Sequence, residues 1–242
     1  MQPTVTPYHD KNSGKKEQVE KMFNNIASRY DLMNTVLSAG IHKRWRKKAV
    51  KLLAERKPKQ ILDLATGTGD FAIAAMKLEP ERIVGADISE GMMAIGREKI
   101  KKLHLQDKIT FQKGDSENLP FADDSFDAIT VGFGVRNFED LLKGLQNMNR
   151  VLKPGGIAVV LEFSKVKAFP FRQLFHFYFR FITPLLGRLF TRDKAAYTYL
   201  PESVSVFPDG KDFEKIMQQA GFKDTRTRTL SFGIASIYTG TK

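Results

Sequence analysis

The stretch ILDLATGTGDFA, residues 61–72, followed by IVGAD ending at Asp87, decides the fold. An apolar run, a glycine-rich turn and a downstream acid about 20 residues on are the parts with which a doubly wound α/β domain holds an adenosyl cofactor. Gly67 and Gly69 permit a tight turn and close backbone approach, and the small Ala72 lets the following helix pack on the strand. Asp87 is placed to accept both ribose hydroxyls.

The turn is acidic. Asp63 precedes it, Asp70 closes it, and no Gly-Lys-Ser/Thr follows, which excludes a P-loop and disfavours a nicotinamide site. S-adenosylmethionine carries a sulfonium and an ammonium against one carboxylate, so its net positive charge suits a rim of carboxylates. A third acid, Asp115 in KGDSENLPF, follows the strand-like ITFQ and stands where it can meet the adenine amino group, with Ser116 beside it. Each of Asp63, Asp87 and Asp115 could alone be a helix or turn cap. Together, at three successive strand ends, they point to the cofactor.

The 242 residues suffice for one sizeable core, and 42% of them are hydrophobic. The absence of cysteine excludes disulfides, thiolate metal sites and radical use of an iron–sulfur cluster. His9, His42, His104 and His176 lack ligand spacing, so no metal is expected. The polar start MQPTVTPYHDKNSGKKEQ does not read as a signal peptide, and no run of eighteen apolar residues occurs. A cytoplasmic location is expected. The net charge of +12 suits anionic lipid, nucleic acid or simple solubility.

Residues 1–16 read as a flexible tail and 17–242 as a single domain. Val19, Met22, Phe23, Ile26, Ala27 and Tyr30 mark one apolar helical face, and a second helix from near Ile41 carries Trp45, Ala49 and Leu52 on one side and lysines and arginines on the other. From ILDL the chain alternates strands and helices to IAVVLEF, then ends in a helix over about 211–220 and two strands parted near 230–233. That rhythm predicts a seven-stranded, mostly parallel, Rossmann-like sheet with N-terminal helices. Residues of about 164–200 break the rhythm. The stretch from Phe163 to Leu200 holds eight of nineteen phenylalanines and no acid before Asp193. It reads as a helical insertion after the fifth strand that is part lid and part core filler, with a possible contact to an anionic membrane surface.

The chain resembles the ubiquinone/menaquinone biosynthesis C-methyltransferases. YDLMN (30–34) followed by Ser38, His42 and Trp45, and RVLKPGGIAVVLEFS (150–164), carry the likeness; VGFGVRNFED (131–140), YTYLPESVSVFPDG (197–210) and AGFKDTRTRTLSFGIASIYTG (220–240) extend it. The resemblance implies S-adenosylmethionine held by Thr68, Asp87, Asp115 and Ser116, and by Gly132 where some members have serine. It also implies a prenylated quinol substrate, which would place Tyr197, Tyr199 and Glu202 against its oxygens; His42, on the same helical side as Trp45, would face it as well. Demethylmenaquinol is preferred, with a polyprenyl methoxy-benzoquinol as the alternative. ATGTG departs from the commoner AGGTG, so Thr66 must point away from the ligand.

Methylating a ring carbon needs electron density that a phenolate supplies. A phenol of pKa about 10 is roughly 0.1% ionised at pH 7, a deficit of about 4 kcal/mol. Arg136 could stabilise the oxyanion or orient a water, Asn137 could hold geometry and Glu162 could accept a proton. Alternatively Arg136 braces its loop by pairing with Glu139 or Asp140, and Glu162 makes a structural hydrogen bond. A nucleic acid methyltransferase fits less well: VGFGVRN stands where a polar-Pro-Pro-aromatic segment is expected, and no cysteine is available for attack on a pyrimidine. No nucleic acid partner is expected, and a homodimer is an open possibility.

Overall fold

The computed structural model describes residues 5–166, 169–170, 172–173, 178, 193 and 195–242. Seven strands form one sheet in the order β3-β2-β1-β4-β5-β7-β6. They are β1 (Gln60–Leu64), β2 (Arg82–Asp87), β3 (Ile109–Lys113), β4 (Phe126–Gly132), β5 (Leu152–Phe163), β6 (Lys223–Leu230) and β7 (Ala235–Thr241). The first five are parallel to their neighbours, and β7 runs antiparallel to β5 and to β6. The expected seven-stranded α/β fold is the one observed.

Helices cover both faces, which is why the central strands read as continuous apolar runs. In β1, Ile61, Leu62 and Leu64 are all buried. On one face α6 (Leu141–Val151) and α8 (Lys211–Gln219) pack Leu145, Met148, Phe213 and Met217 against Leu62, Ile129 and Val160. On the other, α3 (Ile41–Lys51) and α4 (Asp70–Ala75) bring Trp45, Ala49, Phe71 and Ala75 against Ile61, Ala128 and Val159. The helix α5 (Glu90–Lys102) joins β2 to β3, its N-terminus capped by Ser89, whose hydroxyl accepts from the Met92 N–H.

The chain leaves β1 towards β2 and β3, then returns to place β4 on the other side of β1. Loops therefore part between the carboxyl ends of β1 and β4, where ligands bind in sheets of this kind. Before β5 pairs fully with β4, Leu152 opposes Phe126 and Ile157 opposes Ala128, so residues 153–156 bulge out opposite Asp127. Gly155, at φ +77°, allows that bulge, and Lys153 donates to Asp127 at 2.7 Å.

Three helices precede the sheet, one more than the sequence reading expected. The first, α1 (Lys15–Ile26), buries Val19, Met22 and Ile26 at helical spacing. A single turn then leads into α2 (Tyr30–Leu37), eight residues with only Met33 buried, too short for periodicity to reveal. Ala39 and Gly40, at φ +46° and +74°, turn the chain into α3. Of the expected tail, residues 5–14 lie against α1: the Tyr8 N–H donates to Gln18, and the Gln18 amide donates to the Asp10 and Ser13 carbonyls. Lys15 already belongs to α1. Most of the expected 164–200 insertion lies outside the described residues. Its end is α7 (Ala195–Val206), with Tyr199 buried against Val19 and Met22.

Candidate active site

Two recesses meet at the carboxyl edge of the sheet. The first is a crevice between the glycine turn and the ends of β2 and β3, with Asp87, Asp115, Ser116 and Asn137 on its walls and Val19 and Phe23 of α1 over it. The second is a cavity of about 690 Å³ walled mainly by α1, α2, α3 and α7 and by Phe133, Leu161 and Phe163. Gly67, Gly132 and Phe133 belong to both.

The turn is held from beneath. Asp63 is fully buried, and its carboxylate accepts from the Thr66 hydroxyl at 2.6 Å, the Thr130 hydroxyl at 2.7 Å and the Ala72 N–H at 3.1 Å. Burial pushes its pKa up to about 6 against these stabilising bonds. Asp63 was expected among the acids at the rim; the structure turns it away from the crevice, because donors of the turn, β4 and α4 surround it. Thr66, its hydroxyl turned to Asp63, is outside the lining of the crevice and lines the larger cavity. Gly67 and Gly69 adopt φ +55° and +77°, and a Cβ on Gly69 would lie 2.6 Å from the Phe111 ring. Gly69 thus shapes the turn and lines neither recess.

Asp87 sits where the ribose acid was expected. Its oxygens accept from the Gly67 N–H at 2.7 Å and the Ser89 N–H at 2.8 Å, and burial raises its pKa. Asp115 accepts from the Glu117 N–H at 3.0 Å and from Lys16 of α1 at 2.9 Å. Thr68 is placed differently from a cofactor contact: its hydroxyl donates to Asp31 at 2.6 Å, within a network in which Lys99 reaches Asp31 and Asp70, and Arg46 reaches Asp70. That network fastens α2, α3 and α5 to the turn. No local sequence signal joins residues 31, 68 and 99.

Arg136 and Glu162 come together at the end of β4 and β5. The Arg136 guanidinium donates from Nη1 to Glu162 at 3.0 Å and to the Phe133 carbonyl, and it lies 5.6 Å from the centre of the Phe163 ring. Neither Glu139 nor Asp140 pairs with it, contrary to the bracing alternative. Glu139 accepts instead from the Lys15 N–H, and Asp140 caps α6. Glu162 is fully buried, also accepts from the Phe163 and Arg136 N–H groups, and lines neither recess. Arg136 Nε is buried without a hydrogen-bond partner. Lys15 pins the 136–138 backbone by donating to the Arg136 and Phe138 carbonyls, and burial lowers its pKa to about 8.

His42 and Tyr199 both line the larger cavity. Tyr199 donates to Asn137 at 3.1 Å, tying α7 to the loop after β4, and burial pushes its pKa up to about 12. The Tyr197 side chain lies outside the described residues. Sequence reasoning missed Tyr30, which is shared by both recesses, and the Trp45, Phe133 and Phe163 cluster, whose rings are 4.6–6.4 Å apart.

Comparison with known proteins agrees with this geometry. A demethylmenaquinone methyltransferase of Bacteroides fragilis is 51% identical over 243 residues, covering 100% of this chain and 98% of that one. The protein of the same name from Porphyromonas gingivalis is 42% identical, covering 98% of each. The ubiquinone/menaquinone biosynthesis C-methyltransferase UbiE of Geobacter sulfurreducens is 46% identical, covering 94% of this chain and 90% of that one. A solved SAM-dependent methyltransferase of Thermotoga maritima shares the fold, with TM-score 0.64 at 19% identity over 92% of this chain and 98% of that one. The [4+2]-cyclase SpnF reaches the same TM-score at 18% identity, covering 99% and 98%, so the fold by itself does not choose the reaction. The model of the ubiE/COQ5 methyltransferase family matches residues 11–242, and the chain belongs to that family.

Proposed function

We propose that the chain transfers a methyl group from S-adenosylmethionine to a ring carbon of a prenylated quinol, with demethylmenaquinol as its substrate. The observation that carries this reading is the junction of the acid-lined crevice with an apolar cavity of about 690 Å³ at Gly67, Gly132 and Phe133. A polar donor and a greasy acceptor can meet there and nowhere else among the described recesses. The names of the Bacteroides and Porphyromonas relatives favour the naphthoquinol.

The crevice fits the cofactor by its charge. In a chain of net charge +12 its walls present Asp87, Asp115, Glu117 and Glu139 against Lys16. When bound, S-adenosylmethionine supplies an electrophilic methyl on sulfonium. The Asp87 carboxylate has acceptor capacity beyond its bonds to the backbone N–H groups of Gly67, Ser89 and Ile88, which suits a ribose hydroxyl. Asp115 and Ser116 stand at the adenine end. Asp63, Thr68 and Gly69 serve by fixing the turn.

Arg136 is the electrophilic group of the acceptor side. Its guanidinium belongs to the cavity wall, where a fixed positive charge favours a quinol oxygen as negative charge develops on it. Glu162 holds the guanidinium in place, and Asn137, which donates to the same Phe133 carbonyl, accepts from Tyr199. The aromatic walls exclude water and align the ring with the methyl.

The reading extends to a single domain over 17–242 with an insertion at about 164–200, a homodimer, and cytoplasmic placement with peripheral contact to anionic lipid. Exposed Lys43, Arg44 and Lys47 on α3, with Leu32 of α2 at 54% exposure, support the lipid contact. No helix among the described residues is long and apolar enough to cross a membrane. Turnover of short-prenyl demethylmenaquinol and methoxy-benzoquinol, measured side by side with S-adenosylmethionine, tests the substrate. A naphthoquinol kcat/KM at least tenfold higher supports the proposal, and the reverse preference assigns the benzoquinol.

A further inference from the structure

The wall of the apolar cavity contains several titratable side chains, and nearly all are already committed. Asp63 is occupied by three donors, Arg46 is held by Asp70 at 3.0 Å, and Arg136 is held by Glu162. Tyr178 donates to the Leu37 carbonyl at 2.7 Å, Tyr199 donates to Asn137, and Tyr30 bonds to Asn34. His42 is the exception. Its Nδ1 lies 2.5 Å from the Ser38 hydroxyl, and Nε2 has no hydrogen-bond partner among the described residues.

The proton positions follow from Ser38. Its hydroxyl donates to the Asn34 carbonyl at 2.6 Å, an oxygen that also accepts the Ser38 backbone N–H at 3.1 Å and has a second lone pair to give. With its single hydrogen so used, Ser38 can only accept from His42, so Nδ1 carries the proton and Nε2 offers a lone pair. The turn through Ala39 and Gly40 sets this spacing, because it brings the end of α2 and the first turn of α3 side by side. Burial and then Arg46 lower the imidazole pKa, with Lys43 adding to the effect; Asp70 on α4 and Asp31 on α2 oppose them. Both the burial and the neighbouring Arg46 charge favour the neutral ring over the imidazolium.

We propose that His42 Nε2 accepts the quinol hydroxyl proton during methyl transfer and that Ser38 positions it by fixing the tautomer. This inference rests on the quinol reading above. A neutral imidazole is too weak a base to ionise a resting phenol appreciably, and it has no need to. As the ring carbon attacks, the C–C bond forms with electrons from the ring, the methyl–sulfur pair leaves with sulfur, and the hydroxyl becomes strongly acidic. Its proton passes to Nε2 while the O–H pair becomes the second bond of a ring carbonyl. The ring-carbon hydrogen then leaves as a proton to water, the carbonyl oxygen regains a proton from the imidazolium, and aromaticity returns. One proton is released overall, and His42 ends as it began.

The test uses the full chain with S-adenosylmethionine and short-prenyl demethylmenaquinol kept reduced, together with nitrogen-15 spectra of the labelled histidines. His42→Gln is expected to lose about 100-fold or more in kcat, with KM and cofactor affinity within threefold and the acid limb of the pH–rate profile gone. Ser38→Ala is expected to lose about tenfold, with the His42 signals showing mixed tautomers. The wild-type spectrum should show a protonated Nδ1 and a bare Nε2 at pH 7. Quinol turnover by His42→Gln within threefold of wild type, or a proton found on Nε2, overturns this inference alone. A wild-type chain that methylates no quinol overturns the substrate reading with it. The spectra need no variant, so misfolding of His42→Gln does not shield the proposal.

Discussion

The acid-lined crevice and the apolar cavity share Phe23, Tyr30, Ala65, Gly67, Gly132 and Phe133 but are made in different ways. The crevice is built from strand ends whose positions the sheet dictates, and its polar groups are fixed by backbone N–H donors such as those of Gly67 and Ser89. The cavity is built largely from helices outside the sheet, held by side-chain links such as Thr68–Asp31 and Tyr199–Asn137. A crevice set by backbone can serve many chemistries with one cofactor, whereas helices that contribute side chains can specialise for one acceptor. The fold shared with both a methyltransferase and a cyclase illustrates that separation.

If the division holds, variants should affect one partner at a time. Arg136→Ala should lower kcat by about 10²–10³ while leaving cofactor affinity intact, and it should cost about 3–5 kcal/mol of stability because Glu162 is left buried without its partner. Arg136→Lys keeps a charge beside Glu162 and loses the planar donor fork, so its kcat should fall with a much smaller stability loss. Cofactor titration and urea unfolding separate these effects. Asp87→Ala should weaken cofactor binding about 100-fold by calorimetry, with the quinol KM unchanged; unaltered binding would remove the ribose assignment.

Asp63 tests the scaffold beneath both recesses. Its pKa in the folded chain, about 6 against an ordinary 3.8, means that the folded state holds this proton more tightly than the unfolded chain does. Its contribution to stability is therefore greatest below pH 4 and falls by up to about 3 kcal/mol as pH rises to 6. Denaturant unfolding of Asp63→Asn should lack that component of the slope. On the cavity side, Ala196→Leu narrows the space beside α7 and should raise the quinol KM about tenfold, or about 1.4 kcal/mol, with cofactor affinity unchanged. The smallest effect is expected for Lys16→Ala. Its ion pair with Asp115 is half-exposed, so cofactor affinity should change less than threefold, and any change should shrink as salt is added.

The crevice was more legible in the sequence than the cavity. Strand, glycine turn and acid are close in the chain, and their spacing alone placed Asp87 and Asp115 together. Asp63 misled because a strand-end acid can face outward or inward, and its direction was decided by Thr130, 67 residues away. The partner of Arg136 was sought nearby at Glu139 and Asp140 and was found on β5, which is adjacent to β4 only after the sheet forms. The helix α2 escaped because eight residues with one buried side chain carry almost no periodic signal. His42 entered through its place on the same helical side as Trp45 and Tyr199 through family resemblance, since nothing local says that two distant helices will share a cavity wall.

One measurement bears most directly on the claim that donor and acceptor meet at Gly67, Gly132 and Phe133. S-adenosylmethionine labelled with carbon-13 in its methyl group is incubated with the chain and reduced short-prenyl demethylmenaquinol, and the product is read by carbon NMR. The account predicts a single labelled methyl bonded to a ring carbon. A label on oxygen, or a quinol recovered without label, would contradict it.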